Sequence, residues 1–346
     1  MITITGHEQF RAWQEKTMPA VEEVRPGVWS IPVPFPGNPM RYTLAYLLVG
    51  EGEAVLVDPG WDSDEGWAAL VAGLATAGIT PSFLTGIVAT HFHPDHLGMA
   101  ARLRAASNAW MALGEHEPLP SQWSQDTREF VAADRTQFQA WGVPAGRLDE
   151  VAFQARTWQL MRGMQEPELR LADGVLLPVA GLAVRVLFTP GHTPGHISLI
   201  DEVNQLVLTG DHILPRITPH VSLEAHGHGN PLADYLNSLD AMDIASAMEV
   251  LPAHEYRFTG LPERLDELRE HAQERSREVA GVLAAGNAAS VWGVARELTW
   301  SRGFDSLHGF TLRLALAETA SHLVYLRSQG VPVDIAVPRG APASAR

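Results

Sequence analysis

The sequence predicts an α/β layered sandwich followed by a smaller helical region at the C-terminal end. Between residues 27 and 260, short apolar runs of strand length alternate with patterns that are typical of helices. Several of these runs end in a small residue that is followed by His or Asp. After residue 260 the apolar positions recur at helical spacing. We therefore expect one sandwich with polar residues at its strand ends, and a helical region after it.

The N-terminal part of the chain contains the first predicted elements. Helices are expected over HEQFRAWQE (7–15) and near residues 64–77. Strands are expected around VWSIPV (28–33), YTLAYLLV (42–49), AVLVDPG (54–60) and FLTGIVAT (83–90), which are rich in β-branched and aromatic residues. The order of strand, helix and strand is the basis for predicting layers of helices and sheets.

The most informative motif is HFHPDH, which directly follows the run FLTGIVAT. His91 and His93 are two residues apart, so they point the same way while the chain is extended. Pro94 then fixes a turn, which can direct Asp95 and His96 towards a second position. Four such groups in one loop repel or desolvate each other unless a divalent metal ion binds them. The motif therefore predicts a metal site with room for two ions.

Three later segments bring further polar residues to strand ends. AVRVLFTPGHTPGHISLI has a turn with His192 and His196 between two apolar runs. QLVLTGDHILP ends its apolar run at Asp211, and MEVLPAHE ends its run at His254. Metal and catalytic sites are usually built on turns that a packed sheet holds rigid. We expect these segments to complete the metal site, and we interpret His212 and the other histidines of the 212–230 loop as surface residues.

This series of motifs resembles the metallo-β-lactamase superfamily over roughly residues 27–260. The resemblance implies a four-layer αβ/βα sandwich. It also implies two sets of metal ligands: His91, His93 and His192 for the first ion, and Asp95, His96 and His254 for the second, with Asp211 bridging both. In the same way, His196 is expected to support its turn without binding metal. Asp58, in VLVDPG, is expected to orient a ligand or its loop.

The implied ligands favour hydrolysis. Two metal ions bridged by a carboxylate hold a hydroxide at neutral pH, and one of the ions polarises the carbonyl or phosphoryl group that the hydroxide attacks. Asp95 and Asp211 are the expected catalytic residues, Asp211 as the bridging ligand and Asp95 as a ligand that also orients the nucleophile. Zinc is the expected ion, although the same ligands accept iron or manganese. His93 stands where a redox-active di-iron branch of the superfamily has Glu, which also favours a hydrolase.

The expected substrate is a small acyl compound: an ester, a thioester or a lactone. Three alternatives stay open, namely a metal-dependent endoribonuclease, an iron-dependent dioxygenase and a non-enzymatic winged-helix regulator. The complete ligand set argues against the regulator, and the retained second-site ligands argue against a single-iron enzyme. The net charge of −15 argues against a general surface for nucleic acid.

Two domains are expected, a catalytic domain over residues 1–259 and a winged-helix-like domain over residues 260–346. Residues 102–175 are expected to form a mostly helical insertion, packed together by its aromatic residues (Trp110, Trp123, Phe130, Phe138, Trp141, Phe153 and Trp158). In the C-terminal region, Pro262 suits the first turn of a helix that ends at Gly286. Two more helices follow, the second ending at Gly330, and VPVDIAV (331–337) is expected to be a strand. Three helices and a strand resemble the winged-helix-like domain of one branch of the superfamily.

Composition predicts a cytoplasmic enzyme. The N-terminus lacks the basic and then apolar pattern of a signal peptide, and no apolar run approaches the 18 residues that would suggest a membrane span. The absence of cysteine excludes disulfides and thiolate ligands. Residues 260–346 contain ten arginines and ten acidic residues, so that region has no positive excess for DNA. Its helices suit packing over the active-site cleft or a homodimer.

Overall fold

A computed structural model describes residues 1–118, 126–154, 165–223 and 229–337 of the chain. These residues divide into two compact units. The first unit contains residues 1–118, 165–219 and 241–265, and the second contains residues 126–154, 220–223, 229–240 and 266–337. Each unit is therefore assembled from segments that are distant in sequence. The predicted domain boundary after residue 259 stays a prediction.

The described part of the first unit contains two sheets and four helices. The strands are β1 (Thr3–Ile4), β2 (Glu22–Arg25), β3 (Val28–Pro34), β4 (Tyr42–Val49), β5 (Ala54–Val57), β6 (Gly86–Val88), β7 (Trp110–Gly114), β8 (Leu169–Leu171), β9 (Val184–Phe188), β10 (Ile197–Asp201), β11 (Leu206–Gly210), β12 (Glu249–Pro252) and β13 (Phe258–Thr259). The helices are α1 (His7–Glu15), α2 (Asp64–Thr76), α3 (Pro94–Leu97) and α4 (Ala100–Ala106). One sheet has the order β2-β3-β4-β5-β6-β7-β8, and the other has the order β1-β13-β12-β11-β10-β9.

The two sheets pack face to face, and β4 shows how the sequence produces this arrangement. Alternate residues from Tyr42 to Leu48 line the core between the sheets, where Val186 and Leu208 of the six-stranded sheet meet them. The intervening Ala45 and Leu47 belong to a second core, which the seven-stranded sheet shares with α2 and α4. Because successive side chains of a strand point to opposite faces, one apolar strand supplies both cores. The predicted α/β sandwich is confirmed.

Parallel pairing brings several polar strand ends to common edges of the sheets. β6 pairs in parallel with β5 and β7, and β11 pairs in parallel with β12. His91 lies shortly after β6, Asp211 directly follows β11, and His254 lies shortly after β12. Apart from His192, which follows the antiparallel strand β9, the residues predicted to bind metal therefore leave their sheets at the carboxyl ends of parallel strands.

The predicted helical insertion over residues 102–175 is wrong at two strands, although its first residues belong to helix α4 (Ala100–Ala106). WMALG is strand β7, and Leu169–Leu171 is strand β8, which pairs in parallel with β7. Met111 and Leu113 are fully or almost fully buried within the sheet. An apolar run of five residues has no periodicity that separates an interior strand from a buried helix. Between the two strands the prediction is confirmed by α5 (Thr127–Ala140) and α6 (Leu148–Val151), while Trp123 and Trp158 lie outside the described residues.

The second unit is helical in its described part. Four helices follow α5 and α6: α7 (Pro231–Ala241), α8 (Leu261–Ala285, which begins in the first unit), α9 (Val291–Glu297) and α10 (Gly309–Ser328). Phe138 and Trp141 are each 1% exposed and pack in one core with Val291 and Leu316. The predicted helix ends are confirmed, because Gly286 and Gly330 follow them with φ of +69° and +83°, values that favour glycine.

The strand predicted over VPVDIAV (331–337) is wrong. These residues form no regular element, and the Arg327 guanidinium donates hydrogen bonds of 2.8 to 3.2 Å to the carbonyls of Val333, Ile335 and Val337. Arg327 thereby binds carbonyls that a partner strand would otherwise use. Residues 338–346 lie outside the described chain, and the winged-helix prediction is not confirmed. Among the described helices, none is long and apolar enough to cross a bilayer.

Candidate metal centre

The structure brings all seven predicted metal ligands together. They form three overlapping groups whose potential ligand atoms lie within 4.8 Å of one another: His91 with His93 and His192, His91 with His96 and Asp211, and Asp95 with His96 and His254. All seven belong to the first unit. Residues from four separate segments of the chain therefore meet at one site.

The HFHPDH segment presents its side chains in two directions because a helix begins inside it. His93 precedes α3, and Pro94 occupies the first turn, where its missing N–H costs nothing. The backbone N–H groups of His96 and Leu97 donate to the His93 carbonyl at 3.0 and 2.9 Å. Asp95 and His96 are thus carried on the helical turn, while His91 lies in the bend that precedes it.

The loop after β11 approaches the HFHPDH segment closely because residue 210 is glycine. Gly210 has φ of +50°, and a Cβ atom there would lie only 2.5 Å from Thr90 Oγ1. Only glycine fits both conditions. The Ala253 N–H donates to the Gly210 carbonyl at 3.1 Å, which holds the segments that carry Asp211 and His254 side by side.

Three imidazoles converge in one half of the site. His93 Nδ1 lies 2.9 Å from His91 Nε2 and 3.0 Å from His192 Nε2. Burial and the neighbouring imidazoles lower the pKa of His91 well below its usual range, and burial together with His192 lowers the pKa of His93 to about 3. Neutral imidazoles keep a lone pair, and a ligating imidazole must be neutral. This half of the site has the donor set of a cation site.

The other half combines two imidazoles with a carboxylate. His254 Nδ1 lies 2.9 Å from the Tyr42 carbonyl, to which it can donate, and His96 Nδ1 lies 3.0 Å from Asp58 Oδ2 in an ion-pair contact. The Nε2 atoms of both rings face Asp95, whose Oδ2 lies 3.5 Å from His254 Nε2 and 3.8 Å from His96 Nε2. Although burial opposes protonation of both rings, the nearby carboxylates, Asp211 foremost, raise the pKa of His96 well above its usual range and also raise the pKa of His254. Although burial opposes its ionisation, the imidazoles of His96 and His254 lower the pKa of Asp95 to about 2.

Asp211 joins the two halves. Its Oδ2 lies 3.6 Å from His192 Nε2 and 3.5 Å from His96 Nε2, and its Oδ1 lies 3.3 Å from His254 Nε2. Burial disfavours its charge, but His254 and His96 hold the pKa of Asp211 well below its usual range. The carboxylate is therefore ionised between the two sets of imidazoles.

The imidazoles of the site are spaced from its carboxylates as ligands of metal ions are, and they lie too far from them for ordinary hydrogen bonds. The N–O distances of 3.3 to 3.8 Å are longer than ordinary N–H···O hydrogen bonds. Ligands bound tetrahedrally to zinc at ~2.0–2.1 Å are roughly 3.3 Å apart, which is close to most of the observed separations. Imidazole and carboxylate ligands suit zinc, iron and manganese. The residues present therefore fit the metal that the sequence predicts.

Asp58 and His196 lie next to the predicted ligands and contact the segments that carry them. Asp58 accepts hydrogen bonds from the Thr90 N–H at 2.7 Å and from Thr90 Oγ1 at 2.9 Å, besides the contact with His96. His196 Nδ1 lies 2.9 Å from Thr189 Oγ1, and its Nε2 accepts from the Asp211 N–H at 3.3 Å. Both residues hold ligand-bearing segments in place.

Replacement of Asp58 by asparagine should weaken metal binding without unfolding the protein. Asp58 has φ of +51°, which asparagine tolerates, but its amide offers His96 a weaker acceptor than a carboxylate. We expect the affinity for zinc to fall by ~10–100-fold, as is typical for partners of metal ligands. Competition with a chromophoric chelator measures the change. An unchanged affinity would show that Asp58 does not orient His96 for a metal.

Sequence reasoning missed Glu117 and misplaced His212. Glu117 is 1% exposed and accepts hydrogen bonds from two of the ligand-bearing segments. It lies in GEHE, where it has no spacing relation to the other motifs and no feature that separates it from Glu115. His212 was interpreted as a surface residue, but it is fully buried, and its ring lies 5.9 Å from that of His196. His226 and His228 lie outside the described residues.

Comparisons with known proteins agree with this site. The family model of the metallo-beta-lactamase superfamily matches residues 39–254. The probable metallo-hydrolase YqjP of Bacillus subtilis (strain 168) is 26% identical over 312 residues, which cover 86% of this chain and 91% of that protein. The atrochrysone carboxyl ACP thioesterase of Aspergillus chevalieri is 32% identical over 126 residues, 35% of this chain and 36% of that protein. The crystal structure of a metallo-beta-lactamase family protein from Thermus thermophilus is similar with a TM-score of 0.74 and 31% identity, covering 89% of this chain and 95% of that one.

Proposed function

The chain belongs to the metallo-beta-lactamase superfamily, and on that premise we propose that it is a two-metal hydrolase of a small acyl compound. The substrate class is an ester, a thioester or a lactone. The observation that carries the proposal is the position of Asp211, whose carboxylate contacts imidazoles of both ligand sets. A thioester is the first choice within the class, because one relative is named as an acyl-carrier-protein thioesterase.

Divalent ions, when bound here, supply a nucleophilic water at neutral pH and polarise the carbonyl that it attacks. The side chains of the protein bind the metal ions and orient the water. His91 and His93 give neutral imidazole donors at neutral pH, whereas His96 and His254, with raised pKa values, give up a proton when a cation binds. Asp95, ionised at neutral pH, accepts a hydrogen bond from the attacking water and so aligns it. The side chains of Asp95 and Asp211 keep 17% and 14% of their exposure, which leaves this part of the site open to a substrate.

Several finer features belong to the same proposal. Zinc is the proposed ion at both positions, with iron and manganese as the alternatives that these ligands also accept. The proposed partner is the small acyl substrate, with no nucleic acid and no membrane. We also propose a cytoplasmic location, a homodimer, and a winged-helix-like relationship for residues 260–346. The net charge of −15 supports the exclusion of nucleic acid.

The proposal is tested with zinc-loaded protein and matched acyl substrates. The panel contains aryl esters, N-acetylcysteamine thioesters and γ-lactones of equal acyl length. We expect hydrolysis of at least one class, lost on dialysis against a chelator and restored by zinc. Single-stranded RNA is the comparison substrate. The proposal would be wrong if the zinc-loaded protein left the whole acyl panel intact, or if it cleaved RNA in preference to it.

A further inference from the structure

Glu117 is a buried carboxylate at a position that the metal chemistry does not explain. It lies shortly after β7, and it is 1% exposed. Burying a carboxylate is costly unless hydrogen bonds replace its water. Glu117 accepts three such bonds, from the Phe92 N–H at 3.1 Å, from Thr193 Oγ1 at 2.5 Å and from the Gly195 N–H at 3.2 Å. The first two reach the same oxygen, Oε1, and the third reaches Oε2.

Each of these donors lies close in sequence to a predicted ligand. Phe92 lies between His91 and His93, and Thr193 directly follows His192. Glu117 thus connects the two segments that supply the three imidazoles of one half of the site. By contrast, Asp58 accepts its hydrogen bonds from Thr90, which directly precedes the HFHPDH segment, and so it does not connect that segment to the His192 turn. Glu117 sets the separation between that segment and the turn that carries His192.

The segment that carries Glu117 is itself held in place from β8 and β7. The Arg170 guanidinium donates to the carbonyls of Glu115 and Glu117, each at 2.6 Å. The Glu117 N–H donates to the Gly114 carbonyl at 3.1 Å. These bonds do not involve the ligand segments, so Glu117 projects from a support that the sheet fixes independently.

The turn that carries His192 fits closely against this support. A Cβ atom at Gly195 would lie 1.9 Å from the backbone nitrogen of Glu117, so no side chain fits at position 195. A Cβ atom at Gly114 would lie 2.1 Å from the Gly195 carbonyl oxygen. The close backbone contacts and the hydrogen bonds to the Glu117 carboxylate together restrict the position of this turn.

We propose that Glu117 is a positioning residue of the metal centre, which fixes the His192 turn against the HFHPDH segment and so sets the affinity for the ion held by His91, His93 and His192. Hydrogen bonds to a carboxylate are stronger than those to a neutral acceptor, and because burial raises the pKa of Glu117 to about 7, this difference is fully present above that pH. Imidazoles a fraction of an ångström out of place bind a metal less well. Glu117 acts through the backbone and through Thr193, and its hydrogen bonds reach none of the ligand side chains. The effect should be largest in the three-histidine half of the site, because His192 belongs to that ligand group alone.

Glu117→Gln is the informative variant, because it keeps the volume and one acceptor oxygen but turns an NH₂ group towards a donor. Metal-free protein is titrated with zinc in competition with a chromophoric chelator. We expect one of two zinc equivalents to bind ~10–100-fold more weakly, and the other to bind as in the parent. Thr193→Val, which removes one of the three donors and keeps the volume, should shift the same equivalent by a smaller factor.

Glu249→Gln is the matched control. Glu249 is also buried in the first unit, but its carboxylate pairs with Arg25 and Arg257, and it lies at the start of β12, whereas His254 follows the end of that strand. We expect this variant to bind both zinc equivalents as the parent does, even if its urea unfolding midpoint falls. A common loss in both variants would mean general loosening of the fold and would overturn the inference.

Two further outcomes would also overturn it: parental affinity at both equivalents in Glu117→Gln, or a parent that binds no zinc. The inference rests on the metal centre of the proposed function and not on its substrate. A parent that binds two zinc ions but hydrolyses no acyl compound would contradict the proposed activity, and the comparison of zinc affinities would still decide the role of Glu117.

Discussion

Asp211→Asn is expected to abolish two-metal binding and to reduce hydrolysis by at least ~1000-fold, which corresponds to about 4 kcal/mol of lost transition-state stabilisation. Asp211 is the residue whose two carboxylate oxygens contact imidazoles from both ligand sets, His192 on one side and His254 on the other. An amide has nearly the same shape but offers one oxygen and no charge. Without the negative charge of Asp211, the imidazoles of the two ligand sets should bind at most one metal ion.

Elemental analysis measures the result directly. The parent protein is expected to retain about two equivalents of zinc after dialysis, and Asp211→Asn at most one. Asp201→Asn serves as the matched control, because Asp201 is also buried, at the end of β10, but binds the backbone and side chain of Asn204. Its metal content should equal that of the parent.

Two other results would contradict this picture. A single iron in the parent, little changed by the substitution at Asp211, would exclude the two-metal hydrolase and indicate oxygen-dependent chemistry. Equal metal loss in Asp211→Asn and Asp201→Asn would show that the substitutions act on the fold and not on a bridging ligand. Thermal unfolding of the metal-free forms distinguishes these cases, since loss of a ligand leaves the metal-free protein folded.

The candidate ligands could be predicted from sequence because each one follows an apolar strand. HFHPDH gives four of the seven in one motif, and His192, Asp211 and His254 repeat the same context. The structure also shows the long-range hydrogen bonds that connect the ligand-bearing segments. The contacts of Asp58 with Thr90 and of Glu117 with Thr193 span 32 and 76 residues, and nothing in the local sequence encodes such pairs. Local patterns therefore show which residues leave a strand, but not which buried carboxylate meets them.

The secondary structure, likewise, could be predicted where the local sequence determines it, and not where it depends on contacts with distant residues. The run YTLAYLLV is the strand Tyr42–Val49, which its apolar, aromatic and β-branched composition predicts, and HEQFRAWQE is the helix His7–Glu15, which its helical pattern predicts. WMALG was predicted as part of a helical region because a short apolar run is ambiguous until its neighbours in the sheet are known. VPVDIAV has strand composition, but the Arg327 side chain binds three of its carbonyls. Composition could not anticipate that contact.

Arg313→Met is expected to lower the free energy of unfolding of the second unit by about 3–5 kcal/mol, since it leaves a buried charge without its partner. Arg313 and Asp134 are 4% and 0% exposed and form two parallel hydrogen bonds of 2.9 Å. The guanidinium also lies 3.7 Å from the centre of the Phe153 ring. Urea unfolding followed by tryptophan fluorescence measures the loss, because Trp141 lies in the core of this unit.

The double variant Arg313→Met with Asp134→Leu separates the pair from its surroundings. Removing both charges removes the unpaired carboxylate, so the double variant should recover most of the stability that either single variant loses. A part of the loss should persist, because Asp134 also accepts the Phe153 N–H at 2.7 Å. Arg135→Met is the surface control: its ion pair with Asp149 is 43% and 87% exposed, and its loss should cost less than ~1 kcal/mol. A double variant as unstable as the sum of the single variants would show that the charges act independently, and that this contact between α5 and α10 contributes packing and not pairing.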